Sequence, residues 1–233
     1  IVFTNETGDT ETITIQQAGV EPELPANVRG KVTCNGEGLA GVLVSDGVEI
    51  VKTDAEGNYR LYSDKHWRYV FVINPAGYDF PLEGILPAHY KLLSQNAEIE
   101  EEVNFELVKT QEDNYTVLVL GDMHLSNWSR LGDLAQFSAV ANDINNTINK
   151  TPGKKYVLTL GDMTWDQFWL SNGYAFTEYL MTMNSSFTDL PFFHTMGNHD
   201  NEMEIGGDFE KALKYTQKIA PNYYSFNIGK VHY

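Results

Sequence analysis

The chain has 233 residues, of which 42% are hydrophobic and 21% charged, a globular rather than a disordered composition. Its 32 acidic residues against 16 basic ones give a formal net charge of −16, which argues against nucleic acid as a bulk electrostatic partner because phosphate backbones need Lys and Arg to neutralise them. The single cysteine, Cys34, excludes an internal disulfide and a cysteine-based zinc site, and no run approaches the ~20 apolar residues of a membrane span.

In chain order, residues 1–17 predict two strands, IVFTN and TETITIQQ, separated by the turn residues ETGD. Thr12, Thr14 and Gln16 alternate with Ile13 and Ile15, the period-two pattern of a half-buried strand. No basic region followed by an apolar run opens the chain, so no signal peptide is read there. A proline-bearing linker, VEPELPAN, follows. From Val28 to about Lys109 come strand-sized runs, VRGKVTC, GVLVSDG, VEIVKTD, GNYRLYS, YVFVINP and EVNFELVK, divided by Gly, Asp, Asn and Pro. Short strands at this spacing predict a β-sandwich.

From Tyr115 the pattern changes. The strand YTVLVL is followed by Leu131, Leu134, Phe137, Ala141, Ile144 and Ile148 at helical spacing, then by Pro152-Gly153 and a second strand, YVLTL. Further helices are expected near Phe176 to Met183 and Asp208 to Ile219, with the apolar stretch DLPFFHTM between them and YYSFNI after. Strands alternating with helices predict βαβ units and a largely parallel sheet.

In such sheets ligands bind beyond the carboxyl ends of the strands, where GDMH at 121–124, GDM at 161–163 and GNHD at 197–200 all fall. If the first of these stays extended, Asp122 and His124 point the same way, with Met123 turned into the fold. Gly121 and Gly161 allow a sharp backbone turn. A carboxylate with an imidazole suits a divalent transition metal, and Asp162 could bridge two metals through its two oxygens. Asn198 offers a neutral amide oxygen to the second metal, His199 could protonate a leaving alcohol oxygen, and Asp200 could orient that imidazole.

D-x-H, then G-D after a second strand, then G-N-H-D, carried here by Asp122, His124, Asp162 and Asn198 to Asp200, resembles the calcineurin-like metallophosphoesterase family. The resemblance implies Asp122, His124 and Asp162 on a first divalent ion and Asp162 and Asn198 on a second, the ions being Mn, Fe, Zn or similar. It further implies His199 as catalytic acid, a bridging hydroxide as nucleophile, and a phosphomonoester or phosphodiester as substrate. About 80 residues from Val28, with the motif order VRGKVTCNGEGLAGVLVSDGVEIVKTDAEGNYRLY at their start, resemble the carboxypeptidase-regulatory-like, transthyretin-type sandwich, a structural or adapter module. Residues 1–19 resemble the end of a BACON-type module, which implies an extracytoplasmic bacterial setting, periplasmic, secreted or on the outer surface, with carbohydrate as a contact of that module.

The expected fold is therefore multidomain: a BACON-like end and linker at 1–24, an all-β transthyretin-like sandwich at 25–110, and an α/β metallophosphoesterase core at 111–233, truncated at its C-terminus. The family's later ligands, an isolated His and a G-H-x-H pair, do not occur before Tyr233. The 233-residue chain is thus expected to be a fragment that binds metal weakly and has little activity. The alternative function is an extracytoplasmic binding protein whose sandwich modules carry the interaction and whose phosphoesterase part is degenerate. His66, His89, His194 and His232 read as structural, whereas Trp128, Trp165, Phe168 and Trp169 are candidates to line a substrate pocket.

Overall fold

The computed structural model describes residues 2–4, 7, 10–12, 25–111, 114–130 and 132–233. Val2–Thr4 and Thr10–Thr12 pair antiparallel. The rest of the expected N-terminal strands, the linker to residue 24, and Leu131 lie outside the described residues.

Two sheets follow that share an apolar core. Val28–Cys34 is the hub of the first, taking Asn58–Leu61 and Glu37–Gly38 antiparallel and Glu101–Glu102 and Phe105–Glu106 parallel. The second runs Tyr90–Leu92, Tyr69–Ile73, Leu43–Ser45, Ile50–Lys52, antiparallel throughout. Tyr69–Ile73 is buried at every position because both its faces are covered. Val70 and Val72 face the core shared with Val28, Val32 and Phe105, while Tyr69, Phe71 and Ile73 pack with Trp67, Tyr90 and Tyr224 on the other side. The stretch EVNFELVK, expected as one strand, breaks into three pieces, the last of which pairs with Tyr78–Asp79 instead.

Beyond residue 114, Tyr115–Leu120, Lys154–Thr159 and Phe192–His194 form a three-stranded parallel sheet in chain order. The crossovers carry α1 (Asp133–Lys150) and α2 (Phe176–Ser186). The buried stripe of α1 is Phe137, Ala141 and Ile144, as its periodicity predicts. A third helix, α3 (Asp208–Lys218), packs on α2, and Asn227–Ile228 with Val231–His232 closes the described chain as a hairpin.

The two halves interlock across residue 110. A hairpin of Leu82–Glu83 and Leu86–Pro87 reaches the edge of the parallel sheet. There the Phe192 N–H donates to the Ile85 carbonyl (2.8 Å), and the Ile85 N–H donates to Asn184 Oδ1 (2.9 Å). The Ile85 side chain is fully buried among Val157, Met163, Tyr179 and Phe192. Conversely, Tyr156, Phe193 and Phe226 join the core of the N-terminal sheets. Lys154 Nζ and the Tyr156 hydroxyl both bond Asp79 Oδ2 (2.5 and 3.0 Å), and Asn74 and Asn227 exchange side-chain and backbone bonds. The change in sequence pattern near residue 110 therefore separates two topologies but not two independent cores.

Two histidines in this packing set an acid response. His89 is buried at the junction, its ring 4.6 Å from that of Tyr224 and its Nδ1 donating to the Pro87 carbonyl (2.9 Å). His194 is buried at the end of the third parallel strand, its Nε2 3.0 Å from the Tyr179 hydroxyl. Burial lowers both from the ordinary value of 6.5, His89 to about 4 and His194 to about 3. The unfolded chain then binds more protons below pH 6.5, so the stability contributed by neutral rings is complete above that pH and is lost as pH falls towards their folded values. Urea unfolding between pH 6.5 and 5, above the ordinary carboxylate range, should lose up to about 2.7 kcal/mol per pH unit through these two rings. A flat profile over that window would contradict the assignment.

Candidate metal centre

The two Gly-Asp-Met segments continue to run side by side after their strands end. Leu160 N–H donates to the Leu120 carbonyl (2.8 Å), Asp122 N–H to Gly161 (3.3 Å), His124 N–H to Asp162 (2.9 Å) and Leu125 N–H to Met163 (3.0 Å). Asp122, His124 and Asp162 adopt left-handed φ values of 52°, 46° and 50°. For residues with a Cβ this conformation costs roughly 1–2 kcal/mol each, less for Asp, and such strain tends to gather at functional sites. The expected extended segment is thus absent: Asp122 and His124 meet through left-handed turns, not through strand alternation. Met123 packs against the core, as expected.

Glycine is required where the loops touch. Gly161 has φ 92°, and a Cβ there would lie 2.7 Å from Gly197 Cα; a Cβ on Gly197 would lie 2.1 Å from Asp162 Oδ1. At Gly121 an added Cβ would meet Leu160 at an ordinary 3.6 Å, so that position needs no glycine for space.

One ligand atom from each of Asp122, His124 and Asp162 lies within 4.8 Å of the others. His124 Nε2 is 3.8 Å from Asp122 Oδ1 and 3.7 Å from Asp162 Oδ2. These separations exceed hydrogen-bond distance, so the atoms face a common point without bonding one another. Two carboxylate oxygens and an imidazole nitrogen so arranged fit a divalent transition metal. The other Asp162 oxygen, Oδ1, accepts from the His199 backbone N–H (2.9 Å), which ties the 197–200 loop to the cluster. Asn198 lies exposed on that loop, at the start of the 3-10 turn Asn198–Asp200.

His199 stands beside the cluster, its ring 5.2 Å from that of His124 and 5.4 Å from that of Trp165. Its Nδ1 is held by Asp166 Oδ1 at 2.8 Å, not by Asp200. The side chain of Asp166 is 3% exposed and that of His199 30%, so the carboxylate is buried while the imidazole stays partly open to solvent. Asp200 is fully buried and does different work: its carboxylate accepts from the N–H groups of Gly197 (2.9 Å), Met163 (3.1 Å) and Thr164 (3.1 Å). It staples the third loop to the second, and burial pushes its carboxyl above the ordinary value. The expected orienting role of Asp200 is therefore corrected. The short range of 3-10 helix Asp166–Phe168 brings Asp166 back to His199. An acid four residues past Asp162, in GDMTWD, was the available signal.

The aromatic candidates divide. Trp165 borders His124 (5.0 Å between rings), and Phe168 links it to Trp128 (5.4 and 5.3 Å). Trp169 is buried in the core, its Nε1–H donating to Thr164 Oγ1 (3.0 Å), so it supports the second loop from behind. His232 is exposed and pairs with Asn227 within its hairpin (2.8 Å). His66 reaches a cavity shared with Asn198 and His199, which its place among the N-terminal strands did not suggest.

The family profile described as Calcineurin-like phosphoesterase matches residues 115–232, and that described as N terminal of Calcineurin-like phosphoesterase matches residues 26–110. The chain belongs to the calcineurin-like phosphoesterases and is a hydrolase of phosphoric ester bonds. Comparison with curated proteins and with solved structures gives no match. Among the described residues, no helix is long and apolar enough to cross a membrane.

Proposed function

We propose that the protein hydrolyses a phosphomonoester or phosphodiester at a two-metal centre, with Asp122, His124 and Asp162 holding one divalent ion and Asp162 with Asn198 the other. The observation that carries the reading is the convergence of Asp122, His124 and Asp162 within 4.8 Å on strained, glycine-spaced loops at the ends of two parallel strands. Divalent ions bound there supply positive charge to phosphoryl oxygens and acidify a water enough for attack at neutral pH.

The chain's own groups do the rest. Asp162 offers Oδ2 to the cluster and keeps the 197–200 loop in place through Oδ1. His199 presents its Nε2 edge to the substrate, with Nδ1 committed to Asp166, and donates its proton to the departing alcohol oxygen. The Asp166 carboxylate fixes the ring through that bond. Trp165 shields one side of both histidines, which strengthens their charge interactions. We read residues 25–110 as a transthyretin-type sandwich, supported by the two sheets over one core, and the setting as extracytoplasmic.

Removing metal tests the function. The protein should lose phosphoesterase activity in chelator and regain it with Mn2+ or Zn2+. Activity indifferent to chelation would refute the two-metal reading.

A further inference from the structure

We infer that the N-terminal region builds one wall of the substrate site, and that this wall takes the planar ring of the phosphoester's organic group. The inference rests on the phosphoesterase reading for the position of the phosphate and extends it to the leaving group.

A cavity of about 820 Å3 opens beside the 197–200 loop, bordered by Asn198, His199, Phe209 and Asn222 from the catalytic half and by His66 and Trp67 from the bend that precedes Tyr69–Ile73. That size suits a ligand as large as a nucleotide. His199 borders both this cavity and the Asp122–His124–Asp162 cluster, so an ester whose bridging oxygen lies at His199 must extend its organic part into the cavity.

The wall is aromatic and pre-assembled. The His66 ring lies 4.9 Å from Trp67 and 5.2 Å from Phe209, and Trp67 lies 6.0 Å from Phe209. The Arg68 guanidinium caps the Phe209 ring at 4.7 Å. Contacts across the two halves therefore fix the rings before a ligand arrives. The Tyr69 hydroxyl donates to Asn222 Oδ1 (2.9 Å), which turns the amide so that its NH2 can serve a ring nitrogen or hydroxyl in the cavity. One acid and one base, Asp208 and Lys211, line the cavity, so it is not built for an occupant of high charge. Ring faces with a few polar groups and balanced charge recognise a planar ring, whether aryl or nucleobase.

Calorimetric titration with adenosine 5′-monophosphate, phenyl phosphate, adenosine and inorganic phosphate tests this on wild type, Trp67→Ala, Phe209→Ala and His66→Ala. Each ring compound should bind about 10-fold more weakly to Trp67→Ala and Phe209→Ala, while inorganic phosphate is unchanged. Tighter binding of the adenosine ester marks a nucleoside substrate, and tighter binding of the phenyl ester an aryl one. His66 is exposed, so His66→Ala folds even if the other variants do not, and it should weaken ring binding in the same direction. Equal ring binding in wild type and variants, or no ring binding by wild type, overturns the inference. Adenosine lacks phosphate and separates the two readings. Adenosine binding that depends on Trp67 without any metal-dependent hydrolysis overturns the phosphoesterase mechanism but leaves the wall standing. Hydrolysis with ring binding indifferent to Trp67 does the reverse.

Discussion

Asp162→Asn is expected to lower phosphoester hydrolysis by about 10³-fold or more, because the lost charge removes several kcal/mol of stabilisation that a metal site supplies. The substitution is chosen for its geometry. Asparagine tolerates the left-handed φ of 50° at this position, and its amide oxygen can still accept from the His199 N–H. The loop contact therefore survives while the charged oxygen facing His124 Nε2 is replaced by an amide NH2, which cannot serve as a metal ligand. Asp162→Ala would also remove the acceptor that holds the 197–200 loop and would mix a structural loss with a chemical one. An Asp162→Asn protein with unchanged melting temperature and near-normal turnover would remove Asp162 from the centre.

The second large effect falls on His199. His199→Gln should slow esters of alkyl alcohols by about 10²- to 10⁴-fold, the range for a positioned general acid, and slow nitrophenyl esters far less, because nitrophenolate leaves without protonation. Asp166→Asn should reproduce that dependence on leaving group at smaller magnitude, since it acts through the Nδ1 bond at 2.8 Å. Asp200→Ala should behave differently. It strands the N–H groups of Gly197, Met163 and Thr164 in a buried position, at about 1–3 kcal/mol for each donor left unsatisfied. Its signature is a lowered melting temperature with losses alike on both ester types. Matching profiles for His199→Gln on the two esters would deny His199 the acid role.

Much of this was legible in the sequence because the relevant signals are local. The switch from strand-sized runs to alternating strands and helices places the parallel sheet, and the apolar spacing of Phe137, Ala141 and Ile144 places α1 on it. Gly-Asp after each strand marks the loops, and Asp122, His124 and Asp162 do converge. The failures have a common physical cause, tertiary contact. Left-handed turns at Asp122 and His124 depend on hydrogen bonds to the neighbouring segment, which no window of sequence contains. Asp166 outcompetes Asp200 for His199 because three backbone N–H groups from two loops have already claimed Asp200. Ile85 sits in a strand-rich stretch yet fills the core under α2, and His66 and Trp67 reach His199 through the fold of both halves. A boundary read from pattern at residue 110 could not show that the cores interpenetrate.

Mn2+ titration of the metal-free chain, followed by calorimetry alongside Asp162→Asn, tests the central claim most directly. The account predicts saturable binding at the cluster of Asp122, His124 and Asp162, and its loss in the variant. Binding of equal strength and stoichiometry in both proteins would contradict it.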